Sequence, residues 1–120
     1  MVKVLLVDDD PDLRALLSVW LDETDFELTL AADGYQGLQF ARTDHPDVIL
    51  LDIHMPVAKG FVVHQRLKGM PALANVPVIY ISADKKAEMQ AMTAGARFLA
   101  KPLDKDVLMR TLRDAYDQAS

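Results

Sequence analysis

Five segments of strand length, four of them continuous apolar runs, separated by longer stretches of helical period, constrain this chain's fold more than any other feature. Val4-Leu5-Leu6-Val7, Val48-Ile49-Leu50-Leu51 and Val78-Ile79-Tyr80-Ile81 are continuous, the pattern of strands covered on both faces. Glu27-Leu28-Thr29-Leu30 alternates instead, which predicts a strand with one wet face near a sheet edge, and Phe98-Leu99-Ala100 supplies the fifth. Leu13, Leu16, Leu17, Trp20 and Leu21 recur at helical spacing behind Asp10-Pro11, an N-cap followed by proline at the first helical position. Asp33-Gly34 turns the chain into a second helix through Leu38 and Ala41, loosened by Gly37. Further helices are expected over Phe61 to Lys68, from about Lys85 to Ala94 with Gly95 closing it, and from about Asp104 to Ala119. This alternation implies right-handed crossovers and a doubly wound, five-stranded parallel sheet, an α/β fold in one domain over residues 1–120.

Composition narrows the function classes. The 120 residues include no cysteine, which excludes a disulfide scaffold, a thiol nucleophile and any thiolate metal site. No apolar run is long enough to cross a bilayer and Met1 opens no signal-peptide pattern, so a soluble, cytoplasmic protein is expected. The formal net charge of −5 disfavours direct binding to nucleic acid or an anionic membrane. Of the 18 acids, 15 are Asp, and Asp8, Asp9 and Asp10 crowd the end of the first strand.

In open α/β sheets, ligands bind beyond the carboxyl ends of the strands. Past those ends stand Asp8 and Asp9 after the first strand, Asp52 after the third, Ser82 after the fourth and Lys101 after the fifth. If the first and third strands are neighbours, three carboxylates share one pocket. Like charges about 4–5 Å apart repel by roughly 3–4 kcal/mol at an effective dielectric near 20. Such a cluster holds a proton or a cation, and aspartates with backbone carbonyls suit Mg²⁺ retaining several waters. An ammonium and a hydroxyl opposite would clamp the oxygens of a phosphoryl group carried on Asp52, since a carboxylate can serve as a phosphoryl nucleophile.

Val7-Asp8-Asp9-Asp10-Pro11, Leu51-Asp52-Ile53-His54-Met55-Pro56, Ile81-Ser82-Ala83 and Ala100-Lys101-Pro102 resemble the motif set of the response-regulator receiver domain of two-component signalling. The resemblance spans essentially the whole chain. It implies a flavodoxin-like sheet of order 2-1-3-4-5, with Asp52 as phosphoacceptor. Asp9 would bind the metal directly and Asp8 largely through water. The backbone carbonyl of His54 would complete the ligands, and Ser82 and Lys101 would contact the phosphoryl oxygens. It implies a histidine kinase or phosphotransfer protein as donor, slow self-hydrolysis rather than multiple turnover, and an effector or missing output domain as target. Phosphorylation would draw the Ser82 hydroxyl inward, turn the aromatic Phe98 into the vacated space and alter the face of the fourth helix, fifth strand and fifth helix, through which a homodimer could also form. Phe98 stands where the family commonly has Tyr, and Ala58-Lys59-Gly60 where it often has Met-Asp-Gly.

Plainer readings suit other residues. Asp10 and Asp12 are expected as cap and first-turn acids, and Lys85-Lys86 as a solvated helix start. His45 and His64 read as ordinary surface or helix residues, and Met89, Met92 and Met109 as gap-filling core. The resemblance also predicts a cis Lys101–Pro102 bond. A competing enzyme reading, a haloacid-dehalogenase-like phosphatase with Asp8 as nucleophile, would need a further acid pair after the Lys. There Asp104 and Asp106 look like capping acids. A flavodoxin-type mononucleotide binder would need a Ser/Thr/Gly phosphate loop after the first strand, where this chain has acids.

Overall fold

A computed structural model describes residues 1–55 and 59–119; Pro56 and Ala58, named above in the loop after the third strand, lie outside them. The elements run β1 (Val2–Val7), α1 (Pro11–Trp20), β2 (Phe26–Ala31), α2 (Gly34–Asp44), β3 (Val48–Asp52), α3 (Gly60–Lys68), β4 (Val78–Ser82), α4 (Ala87–Ala94), β5 (Arg97–Ala100) and α5 (Lys105–Ala119). All strand pairs are parallel, in the order β2-β1-β3-β4-β5. The alternating strand β2 is indeed an edge, while β3 and β4 are buried at every position.

Alternation along each strand divides the core. Leu5, Val7, Ile49, Leu51 and Tyr80 face α2, α3 and α4, whereas Val4, Leu6, Leu50, Ile79 and Ile81 face α1 and α5. Each fully buried Leu or Ile contributes roughly 1.5–3 kcal/mol relative to exposure. Gly37 has a packing role that a propensity argument overlooks. A Cβ there would lie 2.8 Å from a Val7 methyl, so its absence lets α2 seat directly on β1.

Caps act where expected. Asp10 accepts the Asp12 N–H at 2.9 Å, Asp33 accepts that of Gln36, and Asp104 that of Val107 at 3.0 Å. Gly95 closes α4 at φ 75°, and Lys101–Pro102 is cis.

Four expectations need correction. α4 begins at Ala87 rather than Lys85, because Asp84 Oδ1 takes the Lys86 N–H and the Ala87 and Glu88 amides make only three-residue turns. Met89 and Met92 are not core; they are 69% and 70% exposed, because α4 turns its small residues Ala87 and Ala91 inward. Leu16, assigned to the buried stripe of α1, is exposed. His64 is no surface residue. It is 5% exposed, with Nδ1 2.7 Å from the Tyr80 hydroxyl and the rings edge to face.

Burial, assisted by the nearby Lys68 charge, lowers the His64 imidazole from 6.5 to about 4. Between those values the unfolded chain binds a proton that the folded chain refuses, so this residue's contribution to stability falls as pH drops from 6.5 towards 4. Against a His64→Gln variant, the wild-type stability should decline by up to about 3 kcal/mol across that window. Urea midpoints of both proteins from pH 7 to 4 measure it, and parallel curves would refute a neutral buried imidazole.

Candidate functional site

The carboxyl ends of β1 and β3 bring the acids together. Pairing of Val7 with Leu51 puts Asp8 and Asp52 side by side, and the Asp8 amide continues the ladder to Ala31 at 3.0 Å. Carboxylate oxygens of Asp8, Asp9 and Asp52 lie within 4.8 Å of one another. Asp8 is fully buried, Asp52 nearly so and Asp9 exposed, which leaves the cluster one open side.

Each acid is fixed locally. Asp8 Oδ1 accepts the Asp10 N–H at 2.8 Å, and Asp52 Oδ1 accepts the His54 N–H at 2.9 Å. Arg14 clamps the Asp8 carbonyl through Nη1 at 2.8 Å. Sequence reasoning missed Arg14; its place one turn into α1, behind the acidic cluster, was the available signal. Gly60 was also passed over as a site residue. A Cβ on it would lie 2.7 Å from Ile53 Cα and closer still to the Asp52 carbonyl, so α3 starts directly against the backbone of the acid.

Lys101 enters from the β5 side. Its amide donates to the Ser82 carbonyl at 2.8 Å, extending the β4–β5 ladder past Ala100. Its ammonium then lies 3.0 Å from Asp8 Oδ2 and 3.7 Å from Asp52 Oδ2. Burial works to lower the Lys101 ammonium, but the Asp8 carboxylate and the charges of Asp52 and Asp10 outweigh it and hold it above its ordinary value. Burial pushes the Asp52 carboxyl up and the Asp8 and Asp9 charges add to this; the His54 N–H and Lys101 oppose it without cancelling it.

A cation fits this donor set. Despite the facing ammonium, Asp8 Oδ2 receives no aligned hydrogen bond, alone among buried side-chain polar atoms of the described residues. An oxygen-lined cluster whose buried Asp8 Oδ2 is met only by the Lys101 ammonium, and which has an open side, suits a hard divalent ion retaining water.

Ser82 ends β4, buried, opposite Ala100 and one residue beyond the partner of Asp52. Its Oγ accepts the Asp84 N–H at 3.0 Å. Phe98 lies beside Tyr80, half-buried against the core under α4. His54 meets the cluster through its amide, its side chain exposed. Asp8, Asp9, Asp52 and Lys101 thus converge, with Ser82 on the adjoining strand and Phe98 one layer back. Asp104, needed as a reacting acid by the phosphatase reading, is occupied in capping α5.

Residues 4–113 match the family model of the response regulator receiver domain. The chain is 33% identical over 116 residues to the DNA-binding dual master transcriptional regulator RpaA of Synechocystis, covering 94% of this chain and 48% of that protein, so it spans about half that relative's length. Its fold is similar to the Vibrio cholerae chemotaxis protein CheY4, with TM-score 0.88 at 30% identity, covering 96% of this chain and 98% of that one. It is also similar to the receiver domain of the sensor histidine kinase PA1611 from Pseudomonas aeruginosa, described with a magnesium ion coordinated in its active-site cleft. That match has TM-score 0.86 at 28% identity and covers 96% and 97% of the two chains. With its strand order, its acidic cleft and a family match over nearly its full length, the chain belongs to the response regulator receiver domain family of two-component signalling.

Proposed function

We propose that residues 1–120 form a receiver domain in which Asp52 accepts a phosphoryl group from a histidine kinase or histidine phosphotransfer protein. The observation that carries this reading is the convergence of Asp8, Asp9 and Asp52 with the Lys101 ammonium. Asp8, Asp9, Asp52 and the His54 carbonyl would hold Mg²⁺, which supplies charge neutralisation between carboxylate and phosphoryl.

An Asp52 carboxylate oxygen attacks phosphorus as the N–P bond of a phosphohistidine breaks, and the departing imidazole keeps the bonding pair. Lys101, already held beside Asp52 Oδ2, would shift its hydrogen bonds onto the new phosphoryl oxygens, and Ser82 would add a hydroxyl donor. Phe98 would follow Ser82 inward and change the α4–β5–α5 face for an effector, an output domain or a second copy. Loss of the phosphoryl to water is slow, so the domain signals rather than turns over substrate. No helix among the described residues is long and apolar enough to cross a membrane, in keeping with a cytoplasmic place of action.

A mostly apolar groove of about 400 Å³, with Leu13, Leu16, Ala83, Pro102 and Leu103 on its walls, opens beside Lys101 and offers the donor a seat. It also accounts for the exposure of Leu16.

Incubation with acetyl phosphate and Mg²⁺ should add one base-labile phosphoryl per chain, mapping to the peptide that contains Asp52, and EDTA should prevent it. A phosphoryl stable to base, or mapped to Asp8, would exclude this reading.

A further inference from the structure

The acids of this chain are unevenly distributed. From Ile53 to Ala83, 31 consecutive residues contain no Asp or Glu, while the rest of the chain holds all 18. That span includes α3 with its flanks, so an acidic protein carries one flank that is locally basic: Lys59, Arg66 and Lys68 are its Lys and Arg.

Beside α3 runs a groove of about 380 Å³, walled by Phe61, Gln65 and Lys68 from α3 and by Met89, Gln90 and Thr93 from α4. Among the described residues, no carboxylate lines it. Phe61 is 41% exposed, and Met89 is among the most exposed apolar side chains. The larger side chains of α4 thus point outward while its alanines fill the core, the reverse of what burial alone would select. Lys68 crosses the far end, its Nζ donating to the Ala94 carbonyl at 2.6 Å and linking the C-terminal ends of the two helices.

Charge frames the groove at both ends. Both helices follow parallel strands, so both begin at the same end of the sheet, where Lys59 caps α3 and Lys85 and Lys86 precede α4. These three lysines are exposed, and among the described residues none forms an ion pair. Lys68 supplies the cation at the opposite end. An adaptable Met–Phe floor about two helical turns long, with Lys59, Lys85 and Lys86 outnumbering Asp84 and Glu88 at one end and Lys68 at the other, fits one occupant best: an amphipathic helix with apolar residues on one stripe and carboxylates at both ends. We infer that the α3–α4 groove docks an acid-flanked apolar helix of a protein partner, on the side of α4 away from β5 and α5.

The probe is a synthetic helix with Leu and Phe on one stripe and Glu at both ends, titrated into the ¹⁵N-labelled full chain. Amide shifts should concentrate on Phe61, Gln65, Met89 and Thr93. Met89→Lys, and separately the pair Lys85→Glu and Lys86→Glu, should each weaken binding about tenfold, while Val107→Gln on α5 leaves it unchanged. Raising salt from about 0.05 to 0.5 M should also weaken it, because the flanking charges become screened. The inference is overturned if the groove amides do not move, or if a Lys-ended peptide binds equally well. It is likewise overturned if the same amides shift with protein concentration alone, which would make this face an interface between copies.

Discussion

Asp52→Asn should accept no phosphoryl from acetyl phosphate, and at neutral pH it should be more stable than the parent by on the order of 1–2 kcal/mol. Both effects have one origin. Asparagine keeps the oxygen that receives the His54 N–H but removes the nucleophilic charge, and with it a like charge packed within 4.8 Å of Asp8 and Asp9. The gain is partial because the Lys101 attraction at 3.7 Å goes with it. Burial raises the Asp52 carboxyl, so the folded chain holds its proton more tightly than the unfolded chain does. The variant's advantage should therefore be complete above the folded pKa and fade as pH falls towards 3.8, where both states become protonated. Phosphoryl incorporation and urea midpoints at pH 7 and pH 4 read the two effects. Equal incorporation would remove Asp52 as acceptor, and a lower midpoint at pH 7 would show that the cluster is not strained.

Gly60→Ala should cost about 2–3 kcal/mol, although the change adds one methyl at a helix start. The added carbon would meet backbone atoms of Asp52 and Ile53, and neither can rotate away. Either α3 lifts off β3 or the Asp52 main chain moves, so phosphoryl acceptance should drop as well without any reacting side chain having been altered. Gly69→Ala is the matched control. At φ −78° with its nearest neighbour 3.5 Å away, it should stay within about 1 kcal/mol of the parent. Thermal or urea unfolding of the two variants distinguishes a packing constraint from the ordinary gain of replacing a glycine. Equal stabilities would remove the constraint.

The strands were legible because β1, β3 and β4 are covered on both faces, which leaves unbroken apolar runs, and β2 betrayed its edge position by alternating. The acids and Lys101 were legible because each stands where an apolar run stops. Their mutual distances were not, since these depend on β1 pairing with β3 rather than with β2 alone. His64 was misread for a related reason. It lies on the inner stripe of α3 with Val63 and Leu67, but the hydroxyl that makes its burial tolerable comes from a strand 16 residues away. The methionines of α4 were misread because a helix that buries only two alanines gives no periodic signal to say which side faces in.

The order of the sheet separates charge from countercharge. Asp8 and Asp52 lie on the adjacent inner strands β1 and β3, but the cation between them hangs from β5, the outermost strand on that side. Any partly opened form in which the β5 edge has come away keeps its carboxylates together and loses their lysine. Fraying at that edge is therefore electrostatically more costly than fraying at β2, which takes no cleft charge with it, and the two margins of one sheet differ in how readily they come loose.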